Sequence, residues 1–219
     1  MSLDIKICGL KTDAALAAAL TGGASHVGFI FFPKSPRNID PDAAGRLRQA
    51  ARGKAEAVAV TVDADDQALD RIVAGMQPDM LQLHGGESPE RVALVKARYG
   101  LPVMKVLSIR TAADLDAVGR YRGVADRLMF DAKAPVGSPL PGGNGVSFDW
   151  RLLAGLDAGL DYMLSGGLNA ANIGEALRLA NPPGIDVSSG VESAPGVKEP
   201  ALIEAFFRAV GIAQKKSAA

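Results

Sequence analysis

A lone cysteine and a later aspartate are the side chains in this sequence best suited to proton transfer. Cys8 ends the alternating apolar run at residues 4–8, and Asp131 follows the apolar run 128–130. A thiolate can act as a base, and Lys6, two residues back on the same strand face, would lower the Cys8 pKa and favour that form. An apolar setting beside an anionic substrate would raise the Asp131 pKa and keep a proton on it. The pair could therefore remove one proton and donate another.

These assignments have structural alternatives. A single cysteine is commonly a small core residue, and an aspartate after a strand can cap the next turn. Of the two histidines, His84 ends a strand-like segment and is expected to line the pocket, whereas His26 begins a strand at the opposite edge and is interpreted as structural. No cluster of His, Asp and Glu at the strand ends has the form of a metal site. We therefore predict chemistry without a metal.

Two short loops rich in glycine and serine predict a phosphate site. Ser165-Gly166-Gly167 precedes a helix-like segment, and Ser188-Ser189-Gly190 follows the next strand-like segment. Backbone N–H groups and a helix N-terminus bind phosphate, and glycine allows close approach. Either loop alone could be only a tight turn, but the adjacent pair favours an anion site.

Arg37 is a candidate for binding a second anionic group. It lies in the proline-rich segment Lys34-Ser35-Pro36-Arg37, where restricted backbone freedom would reduce the cost of ordering. Its guanidinium could hold a carboxylate or phosphate bidentately. The alternative is a solvated surface arginine.

Strand-like and helix-like segments alternate along the chain and must position these groups. Eight units recur about every 25 residues, and strands separated by helices form parallel sheets. We therefore predict an α/β fold, a single (β/α)8 TIM barrel over residues 1–219 with 211–219 as a frayed tail. An open doubly wound sheet is the alternative, but no Gly-x-Gly-x-x-Gly follows the first strand. The predicted strands are 4–8, 26–31, 56–62, 79–84, 103–108, 126–131, 161–165 and 185–188.

Composition limits the classes of partner. The 219 residues carry 24 basic and 24 acidic side chains without clusters of either sign, which argues against nucleic acid or a membrane surface and leaves a small phosphorylated molecule. One cysteine cannot form an internal disulfide, and no apolar run approaches the roughly 18 residues that span a bilayer. The early charges Asp4 and Lys6 fit no signal peptide. We expect a cytoplasmic protein, and a monomer because a closed barrel is self-sufficient.

Taken together, the motifs resemble the phosphoribosylanthranilate isomerase family of tryptophan biosynthesis. The matches run in chain order from residue 5 to about residue 200. They are Lys6-Ile7-Cys8-Gly9, Gly28-Phe29-Ile30-Phe31, Lys34-Ser35-Pro36-Arg37, Leu81-Gln82-Leu83-His84-Gly85, Asp131, Gly142-Gly143-Asn144-Gly145, Phe148-Asp149-Trp150, Ser165-Gly166-Gly167-Leu168-Asn169, Asn172, Asp186-Val187-Ser188-Ser189-Gly190-Val191-Glu192, Gly196 and Lys198.

The resemblance implies a reaction and a role for each candidate residue. The implied reaction is the cofactor-free Amadori rearrangement of N-(5-phosphoribosyl)anthranilate to 1-(2-carboxyphenylamino)-1-deoxyribulose 5-phosphate. The resemblance makes Cys8 the general base, Asp131 the general acid and Arg37 the partner of the anthranilate carboxylate. It places the phosphate at the loops 165–167 and 188–190.

Small departures from the family pattern lie in the loops. Asn144 stands where the family usually has threonine, and Ser165 where it usually has alanine. No role is predicted for Asn144. The three prolines between residues 132 and 141 suggest a stiffened lid.

Three rival functions are less consistent with the residues. The related isomerase of histidine biosynthesis uses aspartate at the end of strand one and two phosphate loops, whereas this chain has Cys8 and lacks a second Ser/Gly phosphate loop. The metal ligands that a metal-dependent sugar-phosphate epimerase would need are absent from the predicted strand ends. A catalytically silent phosphate-binding barrel would not need Cys8 and Asp131 both at strand ends.

Overall fold

The strands form where short apolar runs rich in β-branched residues are bounded by glycine, proline or polar residues. The computed structural model describes residues 3–138 and 140–217, and it contains eight parallel strands that close in chain order, with β8 pairing back to β1. This confirms the predicted (β/α)8 barrel. The strands are β1 (Asp4–Cys8), β2 (His26–Phe31), β3 (Glu56–Thr61), β4 (Met80–Leu83), β5 (Val103–Ile109), β6 (Arg127–Ala132), β7 (Tyr162–Leu164) and β8 (Gly184–Val187).

The helices follow the strands, and four of them begin after a capping residue. Thr12, Asp40, Asp65 and Ser88 each accept a hydrogen bond from the first turn of the helix they precede. The α-helices are α1 (Asp13–Gly22), α2 (Pro41–Ala51), α3 (Asp66–Met76), α4 (Pro89–Tyr99), α5 (Val118–Tyr121), α6 (Ile173–Ala180) and α7 (Pro200–Ser217). Short 3-10 helices cover Ala112–Ala117, Trp150–Gly155 and Ser189–Val191, and a hairpin of β9 (Glu192–Ala194) and β10 (Val197–Lys198) precedes α7.

Several element boundaries differ from the sequence-based prediction. The sequence predicts a helix over 169–179, but α6 begins at Ile173 because the side chains of Asn169 and Asn172 hydrogen-bond backbone N–H groups in a preceding turn. The predicted end of the last helix is residue 210, whereas α7 continues to Ser217. The segment predicted as a frayed tail is therefore helical to Ser217, and 218–219 lie outside the described residues.

Alternation along the strands sorts side chains between two buried regions. One set packs between the barrel and the helices, and the other fills the barrel interior with valines and methionines such as Val58, Met104 and Met129. Lys6 and Cys8 point into the interior beside Gly28. A Cβ on Gly28 would lie 2.9 Å from Cys8 Sγ, so glycine at this position leaves room for the thiol.

His26 lies at the amino-terminal end of β2, away from the strand ends that carry the other candidates. Its Nδ1 is 2.8 Å from Ser25 Oγ, and its Nε2 is 3.4 Å from Glu56 Oε2. Burial, reinforced by the charge of Arg127, lowers the His26 pKa to about 4. His26 therefore stays neutral in the folded protein at pH values where it is protonated in the unfolded chain.

The His26 pKa predicts a pH-dependent stability. Between pH 6.5 and about 4, His26 is protonated in the unfolded chain but neutral in the folded protein. The contribution of neutral His26 to the free energy of unfolding is therefore complete above pH 6.5 and is lost as the pH falls towards 4. The loss approaches about 3 kcal/mol. Urea denaturation measures the decrease in unfolding free energy between pH 7 and pH 4.5. This decrease should be correspondingly smaller in His26→Gln than in wild type. An unchanged difference would contradict the prediction.

Candidate active site

A pocket lies at the carboxyl ends of the strands, where the barrel fold places its functional groups. The open space of the pocket is about 750 Å³, including the solvent at its mouth. Gly190 does not line it, because its backbone packs against the carbonyl of Leu168. The predicted site residues that line the pocket are Cys8, Arg37, His84, Asp131, Gly166, Gly167, Ser188 and Ser189.

Cys8 sits at the end of β1 and is 4% exposed. Burial raises the pKa of its thiol, and the nearby Asp186 carboxylate also raises it. Lys6 and Lys198 act in the opposite direction but do not outweigh burial. The predicted influence of Lys6 is thus present, but the predicted net lowering of the Cys8 pKa is wrong.

Lys6 and Asp186 form a buried ion pair below Cys8. Lys6 Nζ donates to Asp186 Oδ1 at 2.8 Å, and Ser165 Oγ donates to Asp186 Oδ2 at 3.2 Å. Burial by itself would lower the Lys6 pKa, but Asp186 and Cys8 together raise it. A positive charge is therefore held next to the cysteine, where it stabilises a thiolate once one forms. Sequence reasoning missed this role of Asp186, 180 residues from its partner.

Asp131 lines the pocket near the end of β6, and its carboxyl group makes two hydrogen bonds. Its Oδ1 accepts from the Ala132 N–H at 2.9 Å, and its Oδ2 lies 3.1 Å from His84 Nε2. The other ring nitrogen of His84 is 3.2 Å from Gln82 Nε2, so Gln82 fixes the imidazole orientation. Because the Gln82 amide N–H points at Nδ1, the hydrogen of neutral His84 is on Nε2, which donates to Asp131 Oδ2. Oδ2 can accept this hydrogen bond both when Asp131 is ionised and when its proton is on Oδ1, so the contact accommodates both states of an acid.

The glycine-rich segment 142–145 passes directly above these side chains. A Cβ on Gly142 would lie 2.6 Å from Asp131 Oδ2 and 2.7 Å from His84 Nε2. Asn144 binds within its own loop, since its Oδ1 accepts from Ser138 Oγ at 2.8 Å. The loop thus has a glycine, Gly142, where its backbone passes close to the Asp131 carboxyl group. The predicted stiffening of this lid stays a prediction, and one of its prolines, at position 139, lies outside the described residues.

Arg37 is not a solvated surface side chain, because it is 4% exposed. Its Nε donates to Glu192 Oε1 at 2.7 Å, and its Nη2 donates to Glu192 Oε2 at 2.8 Å. Gly143, with φ of +71°, passes beside it, and a Cβ there would lie 2.6 Å from Arg37 Nη1. This close approach requires glycine both for space and for the positive φ. Arg37 is therefore held in one orientation at the pocket wall.

The two loops predicted to bind phosphate lie side by side after β7 and β8. Gly166 and Gly167 have φ of +92° and +67°, and Ser188 Oγ donates to the Cys8 carbonyl at 3.1 Å. Asn172 Nδ2 donates to the Gly167 carbonyl at 2.9 Å, which fixes the first loop. The first loop is thus fixed by the residue that precedes α6, and the second is joined to the end of β1.

Two global features of the described residues bear on the expected partners. Within residues 3–138 and 140–217, no three His, Cys, Asp or Glu side chains come together as a metal-binding group. Among the helices of that same part of the chain, none is long and apolar enough to cross a bilayer.

Comparison with known proteins gives consistent matches. A family model described as N-(5'phosphoribosyl)anthranilate (PRA) isomerase matches residues 5–209. A Mesorhizobium japonicum protein named N-(5'-phosphoribosyl)anthranilate isomerase is 76% identical over 219 residues, covering 100% of both chains. A Brucella canis protein of the same name is 71% identical over 210 residues, covering 96% of this chain and 95% of that one.

Solved structures agree with the sequence matches. The phosphoribosyl anthranilate isomerase of Thermotoga maritima is 30% identical with a TM-score of 0.85, covering 96% of this chain and 99% of that one. A second isomerase structure, in complex with reduced 1-(O-carboxyphenylamino)-1-deoxyribulose 5-phosphate, is 29% identical with a TM-score of 0.82 and covers 96% and 100% of the two chains.

Proposed function

The chain belongs to the N-(5'-phosphoribosyl)anthranilate isomerase family, and we propose that Cys8 and Asp131 perform the proton transfers of its reaction. The chain catalyses the Amadori rearrangement of N-(5-phosphoribosyl)anthranilate in tryptophan biosynthesis. The observation that carries the residue assignment is that a buried thiol and a buried carboxyl line one pocket with Arg37 and the two Gly/Ser loops.

The first step is opening of the ribose ring. Asp131 donates its proton to the ring oxygen, the bond from that oxygen to C1 breaks, and the nitrogen lone pair forms an iminium ion. His84 Nε2 lies 3.1 Å from Asp131 Oδ2 and can donate to the carboxylate left behind. His84 thus stabilises the ionised acid without leaving its position.

The second step removes the hydrogen at C2. The adjacent iminium makes this hydrogen acidic, so a base as modest as a thiolate suffices. Burial favours the neutral Cys8 thiol, but Lys6 and the cationic iminium both favour the thiolate. Cys8 takes the C2 proton, the electron pair moves to nitrogen, and the enolamine tautomerises to the ketone. The substrate supplies its own electron sink.

The anionic ends of the substrate bind away from the reacting carbons. Arg37 holds the anthranilate carboxylate, and the loops 165–167 and 188–190 hold the phosphate through their N–H groups. Arg37 and the loops line the same pocket. Fixing both ends would hold C1 and C2 between the base and the acid.

Two further expectations remain predictions. The enzyme is expected to be a monomer in the cytoplasm. Sedimentation equilibrium at micromolar concentration would test the oligomeric state, with a single species of 22.6 kDa as the expected result.

A coupled fluorescence assay tests the proposed function. The substrate is generated in place from anthranilate and phosphoribosyl pyrophosphate, and its fluorescence is followed after enzyme is added. Rapid loss with wild type supports the assignment. No acceleration by wild type would contradict it, and the aminoaldose of histidine biosynthesis would then be tried as substrate.

A negative charge at Ser189 should oppose phosphate binding. Ser189 lines the pocket within one of the proposed phosphate loops. In Ser189→Asp the carboxylate would face the substrate phosphate, so we expect KM to rise by about 100-fold, since juxtaposed like charges cost several kcal/mol. Ser189→Asn is the matched neutral control and should change KM by less than about fivefold. Equal KM values for the two variants would place the phosphate elsewhere.

A further inference from the structure

A buried cluster of three charged side chains lies behind the pocket wall. We propose that Glu192 and Lys198 are positioning residues that make Arg37 selective for a carboxylated substrate, an inference that rests on the proposed function of Arg37. Glu192 fixes the orientation of the guanidinium, and Lys198 restores the positive charge that Glu192 would otherwise neutralise. Neither residue lines the pocket, so any effect of either residue on a ligand is indirect.

The contacts of Glu192 orient the guanidinium. Its two oxygens accept from Arg37 Nε at 2.7 Å and from Nη2 at 2.8 Å, in the bidentate geometry. Nη1 has no partner among the described residues, and it lies beside Gly143 at the pocket wall. Nη2 also donates to the Gly143 carbonyl at 3.3 Å, so these contacts leave Nη1 as the donor for a ligand.

The hairpin after β8 brings the second cation to the same carboxylate. The β9–β10 register pairs Lys198 with Glu192, and Lys198 Nζ forms an ion pair with Glu192 Oε1. The Gly196 N–H donates to Glu192 Oε2 at 3.2 Å, and φ of +81° at Gly196 allows this turn. Both side chains of the pair are almost fully buried, at 4% and 2% exposure.

Counting charges explains why two cations surround one carboxylate. Arg37 and Glu192 alone would sum to zero, and a neutral pair attracts a carboxylate weakly. Burial lowers the Lys198 pKa, but the Glu192 carboxylate beside it opposes that shift. With Lys198 protonated, the cluster carries one net positive charge in a region screened little by solvent. Arg37 and Lys198 also hold the Glu192 pKa below its usual value although burial alone would raise it, so the carboxylate stays ionised.

The cluster is also joined to the phosphate loop and to β1. Lys198 Nζ donates to the Ser188 carbonyl at 3.2 Å, and Ser188 Oγ donates to the Cys8 carbonyl at 3.1 Å. An effect of Lys198 on binding could therefore pass through either anion site. A test must separate the carboxylate from the phosphate.

The test compares two ligands that differ only in the carboxylate. Reduced 1-(2-carboxyphenylamino)-1-deoxyribulose 5-phosphate and its phenylamino counterpart both keep the phosphate, so the ratio of their dissociation constants reports the carboxylate site alone. In Lys198→Met, which keeps the chain length and removes the charge, we expect this ratio to fall at least about tenfold, corresponding to about 1.4 kcal/mol. Lys198→Arg, which keeps the positive charge, should retain most of the wild-type ratio.

A second variant tests the orienting role of Glu192 without changing the net charge. Glu192→Gln combined with Lys198→Met leaves Arg37 as the single charge, so the net charge of the cluster is unchanged, and neither Glu192 nor Lys198 is left as a buried ion without the other. The ratio should again fall about tenfold, because the guanidinium has lost its carboxylate partner. This double variant also serves if Lys198→Met alone does not fold.

The outcomes separate this inference from the proposed function. If wild type shows no preference for the carboxylated ligand, or Arg37→Gln retains it, the proposed role of Arg37 fails. If Arg37→Gln loses the preference but Lys198→Met and the double variant keep it, only the present inference is overturned. It is also overturned if both ligands weaken equally, because the effect then passes through the phosphate loop.

Discussion

Cys8→Ala is expected to lower kcat by about 10²- to 10⁴-fold while KM changes little. A positioned general base contributes about this factor, and alanine removes the base without adding bulk. Cys8 faces the pocket at the end of β1, beside Gly28 and Lys6. Steady-state kinetics with the coupled fluorescence assay measures both constants, and a thermal melt confirms folding.

Two further substitutions at the same position sharpen the result. Cys8→Ser keeps the shape but supplies a hydroxyl that is far harder to ionise, so it should be nearly as inactive as alanine. Cys8→Asp supplies a carboxylate beside Lys6 and should recover part of the activity. Because burial raises the Cys8 pKa, wild-type kcat/KM should also increase with pH through that pKa. Full activity of Cys8→Ser would rule out the thiolate.

Asp131→Asn is expected to cause a loss of similar size by blocking ring opening. Asparagine matches the carboxyl in shape and keeps an acceptor for the Ala132 N–H, but it has no proton to donate at neutral pH. We expect kcat to fall by about 10²- to 10⁴-fold with KM within a few-fold of wild type. The measurement is the same coupled assay.

The matched control for Asp131→Asn is the same substitution at the other end of the barrel. Asp161 is 58% exposed and pairs with Arg127 at 2.9 Å. Asp161→Asn should leave kcat and KM unchanged. If Asp131→Asn behaved like this control, Asp131 would not be the acid.

The fold was predictable because its signals are local. The run 26–31 is apolar and bounded by polar and aromatic loop residues, and β2 has these same ends. By contrast, the predicted start of the helix after β7 missed the turn made by Asn169 and Asn172, because a side chain that caps a turn and one that begins a helix have the same sequence pattern. The β9–β10 hairpin was not predicted, since its strands have only three and two residues.

The candidate site was predictable in its members but not in its contacts. Strand-end position alone indicates Cys8, His84 and Asp131, because a barrel gathers these ends at one face. The pairing of Arg37 with Glu192 joins residues 155 apart, and no spacing rule specifies it. The raised Cys8 pKa likewise depends on how completely the fold buries the thiol, which a sequence does not state.

The most direct test of the two catalytic roles is the primary isotope effect on kcat with substrate deuterated at C2. This substrate can be made in place from anthranilate and phosphoribosyl pyrophosphate deuterated at ribose C2. In Cys8→Ala, removal of the C2 hydrogen should limit the rate, so a large isotope effect is expected. In Asp131→Asn, ring opening should limit the rate, so the effect should be close to one. The reverse pattern, with a large effect in Asp131→Asn and none in Cys8→Ala, would contradict the assignment of Cys8 as base and Asp131 as acid.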